Sequence, residues 1–269
     1  MTAEALTILI ISVSSLAIIG FIAGAILSFA SQKFKTESDP RISSAVRLLP
    51  GANCGACGYP GCQGFAEALL KGEANISACR VINDAQRKEL ANILGVEAAK
   101  IEEKVAVLFC GAGKALCDKR GNYSGVQTCR GENLAGEGSL ACVNGSLALG
   151  DCFRACPFDA IELDGDKPPK ILRDKCVACG KCIPACPRSL IELTPRSHKI
   201  LILCKTQHKG AEVKKICRVG CIACRICVNA CPTGAITMEG RIPVINYSKC
   251  NECGECIKAC PQSTIVKVD

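Results

Sequence analysis

The longest apolar segment of the chain lies near its N-terminus, where the 24 residues from Leu6 to Phe29 contain no charged side chain. As a helix this segment would be about 36 Å long, enough to cross a hydrocarbon layer of about 30 Å. A secretory signal peptide is the alternative interpretation. However, the residues before the segment include Glu4 and no Lys or Arg, and the segment is longer than the apolar core of a signal peptide. The pattern therefore predicts a single membrane-spanning helix.

The charges after this segment predict its orientation. Four basic residues follow it, at Lys33, Lys35, Arg41 and Arg47. Because basic flanks stay on the cytoplasmic side, we expect the N-terminus outside the cytoplasmic membrane and the bulk of the chain in the cytoplasm. Gly20 and Gly24 form a GxxxG motif with Ser28 one turn further on, and this spacing would admit a neighbouring membrane helix. Glycine is also common in membrane helices without such a partner.

Beyond the anchor the apolar positions come in short groups, which predict small helices and strands. We expect a polar tether from Gln32 to Pro50, a short helix from Gln63 to Leu70 and a longer helix from Asn83 to Lys104. The apolar positions of the longer helix are Leu90, Ile93, Leu94, Ala98 and Ile101. Short strands are expected at 170–173, 191–193, 236–238, 242–245 and 265–268, and the Gly-rich residues 111–150 predict an irregular loop. The mixture indicates the α+β class.

Composition changes this picture, because 24 of the 269 residues are Cys, whereas Trp is absent and there are two His. A chain of this length can bury a core without so many thiols, so the cysteines need another role. Disulfides, zinc sites and iron–sulfur clusters are the three candidates. A cytoplasmic location disfavours disulfides, since thiols stay reduced there. We expect His198 and His208 to be exposed surface residues in a linker from Thr194 to Gly210.

The first group of cysteines consists of Cys54, Cys57, Cys62 and Cys79. Glycines and a proline separate its first three members. Such turns let a backbone aim several thiolates inward around a cube of iron and sulfide. Structural zinc sites more often use two compact Cys-x2-Cys pairs. The spacing therefore favours a four-iron cluster over a zinc ion.

Three copies of Cys-x2-Cys-x2-Cys-x3-Cys-Pro form the more specific group. The runs are Cys176, Cys179, Cys182 and Cys186; Cys221, Cys224, Cys227 and Cys231; and Cys250, Cys253, Cys256 and Cys260. This is the bacterial ferredoxin spacing, in which three cysteines hold one cluster and the fourth ligates the neighbouring cluster. Three copies at this spacing predict iron–sulfur ligation.

A longer repeat arranges the runs in two tandem modules. The spacing of Cys142, Ser146, Cys152 and Cys156 matches that of Cys217, Cys221, Cys227 and Cys231. Upstream, the segment ending at Cys110 mirrors the segment ending at Cys204. The sequence therefore predicts two ferredoxin-like modules of two clusters each. The first module has lost two standard ligands, because Ser146 and Leu149 stand where the second has Cys221 and Cys224.

Cross-ligation assigns sixteen cysteines to four clusters. The expected sets are Cys54, Cys57, Cys62 and Cys79; Cys156, Cys176, Cys179 and Cys182; Cys231, Cys250, Cys253 and Cys256; and Cys221, Cys224, Cys227 and Cys260. The eight remaining thiols are Cys110, Cys117, Cys129, Cys142, Cys152, Cys186, Cys204 and Cys217.

The eight remaining thiols would suffice for two further clusters. Cys152 and Cys186 would anchor one of them, with two thiols taken from Cys110, Cys117, Cys129 and Cys142. Cys204 and Cys217 would join the other two in the last site. Some of the eight could instead be free buried thiols that pack as small hydrophobes. The chain is therefore expected to hold six 4Fe-4S clusters, or five.

The formal net charge of +8 does not indicate a nucleic-acid partner. An oxidised four-iron cluster with four thiolates carries about −2, so six clusters would bring the loaded protein to about −4. Aromatic residues for base stacking are also scarce, at 4% of the chain. We find no dinucleotide-binding GxGxxG, no Walker loop and no Ser/His/Asp set. We therefore predict no catalytic residue and no organic-cofactor site in this chain.

The uncharged anchor, the motif Cys-Gly-x-Cys-Gly-Tyr-Pro-Gly-Cys from Cys54 to Cys62 and the tandem ferredoxin runs together resemble the B-type component of Rnf-type ion-translocating electron-transport complexes. The resemblance covers essentially the whole chain and is to the long form with two ferredoxin modules. It departs from the family at Ser146, where relatives usually have Cys. We divide the chain into an anchor (1–31), a linker with the first four-Cys domain (32–106), a degenerate first ferredoxin-like module (107–196) and a second module (197–269).

This resemblance implies electron transfer. A subunit of this kind takes electrons from soluble reduced ferredoxin and passes them to membrane subunits and to an NAD-linked peripheral subunit. The complex couples ferredoxin oxidation and reduction of NAD, or of another acceptor, to Na⁺ or H⁺ pumping. The sites for NAD and for the ion would lie on the partners. A membrane-tethered polyferredoxin that feeds a different redox enzyme or a redox sensor would carry the same clusters, whereas a zinc-loaded interaction or nucleic-acid module would be colourless.

Overall fold

The computed structural model describes residues 3–33, 39–96 and 102–268, and the chain divides into two units, Met1–Ser43 and Ser44–Asp269. The first unit contains helix α1, Ala3–Lys33, of 31 residues. Its stretch Ile11–Ala30 is long and apolar enough to cross a membrane, and the side chains from Ile11 to Phe29 are exposed. An apolar surface exposed all round a long helix is typical of a membrane span, which agrees with the predicted anchor.

Three short helices surround the first cysteine group. They are α2 (Pro40–Leu48), α3 (Gly61–Leu70) and α4 (Asp84–Leu94), with a 3-10 helix at Ile76–Ala78. Helix α3 buries Phe65, Ala66 and Leu69, and this fixes Cys62 in its first turn. The helix predicted from Gln63 to Leu70 is confirmed.

Two expectations for this region need correction. Helix α2 forms within the predicted polar tether, because Ala45 and Leu49 are buried. The helix predicted to reach Lys104 begins as expected, with a capping box between Asn83 and Gln86. It ends at Leu94, however, because Gly95 adopts a left-handed conformation with φ 67°. The predicted helical positions Ala98 and Ile101 lie outside the described residues.

Eight strands form four two-stranded antiparallel sheets in the part of the chain that the structure describes. The pairs are β1 (Lys104–Leu108) with β4 (Ile191–Pro195), β2 (Ile161–Glu162) with β3 (Lys170–Ile171), β5 (Ile200–Ile202) with β8 (Ile265–Lys267), and β6 (Ile236–Glu239) with β7 (Ile242–Ile245). The five predicted strands are confirmed. The predicted linker from Thr194 to Gly210 is wrong in part, since it contains β5.

Six short helices lie among the strands. They are α5 (Cys129–Leu134), α6 (Asp151–Arg154), α7 (Cys182–Ala185), α8 (Gly210–Ile216), α9 (Ile226–Asn229) and α10 (Glu255–Ala259). Helix α5 corrects the expectation of an irregular loop at 111–150. It is stabilised by Glu132, a fully buried carboxylate that accepts a hydrogen bond from Ser139 N at 3.0 Å and pairs with Lys114 Nζ at 3.1 Å.

The strands fall into two groups along the chain, β1 to β4 and β5 to β8, and these groups contact each other through β1 and β5. Val105, Val107 and Leu201 form one buried cluster across β1 and β5. Backbone hydrogen bonds also cross between the groups, from Gly111 N to Leu203 O at 3.1 Å and from Asp118 N to Ile216 O at 2.8 Å. The segments that follow β1 and β5 therefore lie side by side. The first contains Cys110 and the second contains Cys204.

Candidate metal centres

Site 1 is a hollow of about 340 Å³ whose lining includes Cys54, Cys57, Cys62 and Cys79. Tight turns make this loop, since Gly55, Gly58 and Gly61 have φ of 68°, 88° and 87°. A Cβ on Gly61 would approach Asn53 Oδ1 to 2.9 Å, and the same oxygen accepts a hydrogen bond from Cys62 N at 2.8 Å. The structure therefore brings together all four cysteines of the first predicted set.

Site 2 comprises Cys156, Cys176, Cys179 and Cys182. The Cys179 thiol lies within electrostatic range of Cys156 and Cys176, and the Cys182 thiol lies within range of Cys176 and Cys179. Helix α6 precedes Cys156, and helix α7 begins with Cys182. This set is the one expected from cross-ligation.

Site 3 is a hollow of about 340 Å³ lined by Cys129, Cys152, Cys186 and the buried Ser146, among others. Cys129 arrives from helix α5, whose first two backbone N–H groups donate to the carboxylate of Asp151 at 3.0 and 2.9 Å. A single thiol therefore joins Cys152 and Cys186, where the sequence suggested two. Thr128, which caps α5, is the one local sequence signal that a helix begins at Cys129.

Site 4 is a hollow of about 390 Å³ between the two groups of strands. Five thiols line it: Cys110, Cys117, Cys142, Cys204 and Cys217. Cys117 and Cys217 face each other in an isolated antiparallel bridge. A hydrogen bond between their thiols raises the pKa of Cys117 and lowers the pKa of Cys217 to about 6. The eight remaining thiols thus divide into five and three, which departs from the expected four and four.

Sites 5 and 6 lie in the second module. Site 5 is a hollow of about 380 Å³ whose lining includes Cys221, Cys224, Cys227 and Cys260. Site 6 comprises Cys231, Cys250, Cys253 and Cys256, since the Cys256 thiol lies within electrostatic range of the other three. Both sets are those expected from cross-ligation.

Four loops share one backbone shape. These loops begin at Ser146, Cys176, Cys221 and Cys250. In each loop the residues two and four positions later have left-handed φ: Ala148 (52°) and Gly150 (80°), Ala178 (55°) and Gly180 (78°), Ala223 (54°) and Arg225 (61°), and Glu252 (58°) and Gly254 (79°). The loop that begins at Ser146 therefore keeps the conformation of the cysteine-bearing runs, although it lacks their first two cysteines.

Zinc ions and iron–sulfur clusters need different spacings of their thiolate ligands. Within the described residues, no group of three or more His, Cys, Asp or Glu side chains is close enough to hold a single metal ion. Four thiolates on one zinc ion would lie about 3.8 Å apart, since each Zn–S bond is about 2.3 Å. A four-iron cluster needs wider spacing, because each thiolate binds a different corner iron. The all-thiol donor sets and the ferredoxin spacing of the runs favour iron–sulfur clusters.

Burial affects the thiols that line these hollows. It raises the pKa of Cys152, Cys182 and Cys204 to about 12 and that of Cys227 to about 11. These thiols are therefore protonated at neutral pH in the absence of a bound cation. Since ligands bind as thiolates, filling the sites releases protons.

Neither histidine lines the hollows of sites 1, 3, 4 and 5. His198 is half-buried and stacks on Tyr247 with ring centroids 3.4 Å apart. His208 is also half-buried, and its Nδ1 lies 2.9 Å from Glu212 Oε1. The expectation that both are exposed is wrong.

Comparison with known proteins gives matches along the described sites. An Fe-S cluster family model matches residues 49–81, an LdpA Fe-S cluster-binding domain matches 150–197, and a 4Fe-4S dicluster domain matches 220–264. These segments contain the residues of site 1, the first module's run and the second module's runs.

Three curated relatives align with most of the chain, and each is the B-type component of its complex. The relative from the Na⁺-translocating ferredoxin:NAD⁺ oxidoreductase complex of Acetobacterium woodii is 38% identical over 97% of this chain and 78% of its own length. The relative from the ion-translocating oxidoreductase complex of Methanosarcina acetivorans is 37% identical over 96% and 98%. The relative from the proton-translocating ferredoxin:NAD⁺ oxidoreductase complex of Clostridium ljungdahlii is 35% identical over 88% and 84%.

Proposed function

Because the chain belongs to the family of B-type components of Rnf-type ion-translocating oxidoreductase complexes, we propose that it carries electrons from reduced ferredoxin towards NAD in a complex that pumps Na⁺ or H⁺. The chain is an iron–sulfur protein and a subunit of a multi-subunit oxidoreductase. Its clusters supply one-electron transfer at low potential. The NAD and ion sites belong to partner subunits, both in the membrane and at its surface.

All 24 cysteines are proposed to lie at the six sites and all but one of them to be ligands, because site 4 offers one thiol more than a cluster needs. Site 3 offers one thiol fewer. Four sites have complete cysteine sets. Six 4Fe-4S clusters result if site 3 finds a further ligand, and five if it stays empty. The proposed domain division follows the same grouping, and the pairing of β5 with β8 supports its second module. Strand β1 pairs with β4 and begins at Lys104, so it crosses the proposed boundary between residues 106 and 107.

The adjacency of successive thiol sets is the observation that carries the electron-transfer proposal. Cys54 of site 1 lies within electrostatic range of Cys179 of site 2. Cys182 of site 2 lies within range of Cys152 of site 3. Helices α6 and α7 connect sites 2 and 3. The two helices pack together, and each contains a cysteine of one site and is followed by a cysteine of the other.

The next junctions are direct hydrogen bonds to sulfur. Ser146 N, beside site 3, donates to Cys110 Sγ of site 4 at 3.3 Å. Cys221 N of site 5 donates to Cys204 Sγ of site 4 at 3.4 Å. Such hydrogen bonds shift the reduction potential of a cluster. Each of these two also connects residues of two neighbouring sites. Helices α9 and α10, which pack together, connect site 5 to site 6. The sites thus form one series from site 1 to site 6.

Exposure favours the second module as the place where ferredoxin docks. Cys224 of site 5 and Cys253 of site 6 are the two exposed members of the 24 thiols. Site 1, at the other end of the series, is closest along the chain to the anchor. We therefore propose that electrons enter at sites 5 and 6 and leave from site 1 towards the membrane subunits. The basic residues after α1 support a cytoplasmic position for this module.

Arg225 is a candidate docking residue beside the exposed Cys224. It is exposed and holds a left-handed φ of 61°, whereas the equivalent positions of the other three loops are glycine. This conformation costs a non-glycine residue about 1–2 kcal/mol, a cost that glycine at this position would avoid. A cation beside an entry site would attract an acidic electron carrier and raise its association rate.

We expect Arg225→Gln and Arg225→Gly to slow reduction by ferredoxin severalfold at low ionic strength, with the difference from wild type shrinking as salt screens the charge. Arg225→Gly relieves the strain, so its thermal stability should not fall. Arg130→Gln, an exposed arginine of the first module, is the matched control. Stopped-flow reduction at several salt concentrations measures the effect. Equal rates for Arg225→Gln and wild type at low salt would contradict docking at this residue.

The proposed function is tested in inverted membrane vesicles that contain the whole complex with or without this chain. With the chain present, reduced ferredoxin should drive both NAD reduction and uptake of the ion. Deletion should abolish both, and a plasmid copy should restore them. If ferredoxin-dependent ion uptake persists without the chain, the protein serves a different acceptor, as a tethered polyferredoxin would.

A further inference from the structure

We propose that Ser146 is the fourth ligand of site 3, with its side-chain oxygen bound to one corner iron and Cys129, Cys152 and Cys186 bound to the other three. The hydroxyl proton is released to solvent as the O–Fe bond forms. This inference deepens the proposed function and rests on it, because it requires iron–sulfur clusters in this chain. It makes site 3 chemically different from the other five.

The hollow offers few other candidates for the missing ligand. Asp151 also lines it, but both of its oxygens are engaged. Oδ1 accepts hydrogen bonds from Cys129 N at 3.0 Å and from Arg154 Nη2 at 2.5 Å, and Oδ2 accepts one from Arg130 N at 2.9 Å. The role of Asp151 is thus to hold the start of α5, which brings Cys129 to the site.

Ser146, by contrast, has an oxygen available at the right place. Its side chain is buried, with 7% of the residue exposed. Its Oγ accepts a long hydrogen bond of 3.4 Å from Ala148 N. A long bond of this kind is weak, and a serine oxygen has two lone pairs. The oxygen can therefore bind an iron and still accept the hydrogen bond from Ala148 N.

The backbone holds Ser146 where a cysteine ligand would be. Its N–H donates to Cys110 Sγ at 3.3 Å, as the N–H of Cys221 donates to Cys204 Sγ at 3.4 Å. Two residues on, Ala148 and Ala223 share a left-handed φ of 52° and 54°. Cys221 is the first cysteine of site 5, so Ser146 Oγ leaves the backbone at the position of a first ligand.

An oxygen ligand has consequences for the iron that it binds. Oxygen is a harder donor than sulfur and favours the more oxidised metal. Site 3 should therefore have a lower reduction potential than the same site with four thiolates. If the oxygen ligand is removed, the iron at that corner can leave as Fe²⁺. The remaining three-iron cluster is held by the three thiols, and a one-electron oxidant converts it to its oxidised form.

The test compares wild type, Ser146→Ala and Ser146→Cys as full-length protein, purified without oxygen and then treated anaerobically with a mild one-electron oxidant dye. Oxidised four-iron clusters give no EPR signal, whereas an oxidised three-iron cluster does. We expect no three-iron signal from wild type or Ser146→Cys. Ser146→Ala should give one such spin per chain, with one iron lost and sulfide unchanged. Ser146→Cys should raise the potential of one cluster and leave the other five as they are.

Ser124→Ala is the matched control, since it removes a serine hydroxyl of the same module at an exposed position that does not line site 3. It should load like wild type. Loss of all four site 3 irons in Ser146→Ala, with full loading of Ser146→Cys, would also support ligation.

Two results would overturn the proposal. One is a three-iron signal of equal size in wild type and Ser146→Ala. The other is identical iron content and spectra in these two proteins. Wild type without iron and sulfide at any site would instead overturn the proposed function itself.

Discussion

Removal of iron from the anaerobically purified protein will unfold most of residues 104–268. The secondary structure of this region is too short to persist alone, since its helices have four to seven residues. Isolated helices need about 12–15 residues to form in water. The strands pair only in twos, and a lone two-stranded sheet is marginal. The ligand bonds must therefore supply much of the folding free energy, as they do in other small metal domains.

The hydrophobic cores of the modules lead to the same expectation. More than a third of the buried residues in their clusters are cysteines, which lie among aliphatic residues such as Leu140, Leu190 and Ile236. Without clusters, these thiols would surround unfilled space. The lining atoms would lose their packing partners or admit water, and both outcomes destabilise a core.

Far-UV circular dichroism before and after chelation of the iron measures this effect. Before chelation the protein should contain about 24 iron atoms and about 24 sulfides per chain, from six four-iron clusters, and no stoichiometric zinc. Helix α1 is an internal control in detergent, because its backbone hydrogen bonds are satisfied within the helix. An iron-free chain that keeps its strand and helix signal would contradict the prediction. Zinc without sulfide would contradict the cluster assignment.

The sequence predicts the sites whose ligands are close together along the chain. Cys221, Cys224 and Cys227 need only the conformation of one loop to converge, and Cys260 follows from the spacing of the next run. Flanking strands were predictable for the same reason, since each joins a run through a turn of fixed length. The end of α4 was missed because apolar periodicity continues past Gly95, and a glycine inside a periodic pattern does not by itself show that it is left-handed.

Sites 3 and 4 could not be predicted in full, because their composition depends on contacts between distant segments. Cys129 reaches site 3 through two hydrogen bonds to Asp151, a residue 22 positions away. Cys110 and Cys204 meet because β1 and β5 pack together and Gly111 N bonds Leu203 O. No spacing rule encodes such pairings, so the sequence alone left the division of eight thiols open.

Replacement of Cys204 by alanine will stop electron transfer from the second module to the first. The internal repeat indicates which four of the five thiols in site 4 ligate. Cys110 corresponds to Cys204 and Cys142 to Cys217, whereas Cys117 has no counterpart in the second module. We therefore expect Cys204→Ala to lose about four irons and Cys117→Ala, the matched control, to lose none.

Electron transfer distinguishes the two variants more sharply than iron content. With ferredoxin as donor, freeze-quenched EPR should find sites 5 and 6 of Cys204→Ala reduced at the wild-type rate. Sites 1 to 3 should stay oxidised, since Cys204 also provides the sulfur that meets Cys221 N at 3.4 Å. NAD reduction by the complex should then fall to background, while Cys117→Ala keeps wild-type activity.

The contrary outcomes are equally specific. Iron loss from Cys117→Ala and not from Cys204→Ala would mean that the Cys117–Cys217 pair ligates, and that the repeat does not define site 4. Reduction of site 1 at an undiminished rate in Cys204→Ala, with site 4 empty, would mean that electrons reach the anchored end by another route. The series from site 6 to site 1 excludes this second result, because each junction in it depends on a contact that involves a named sulfur or a pair of packed helices.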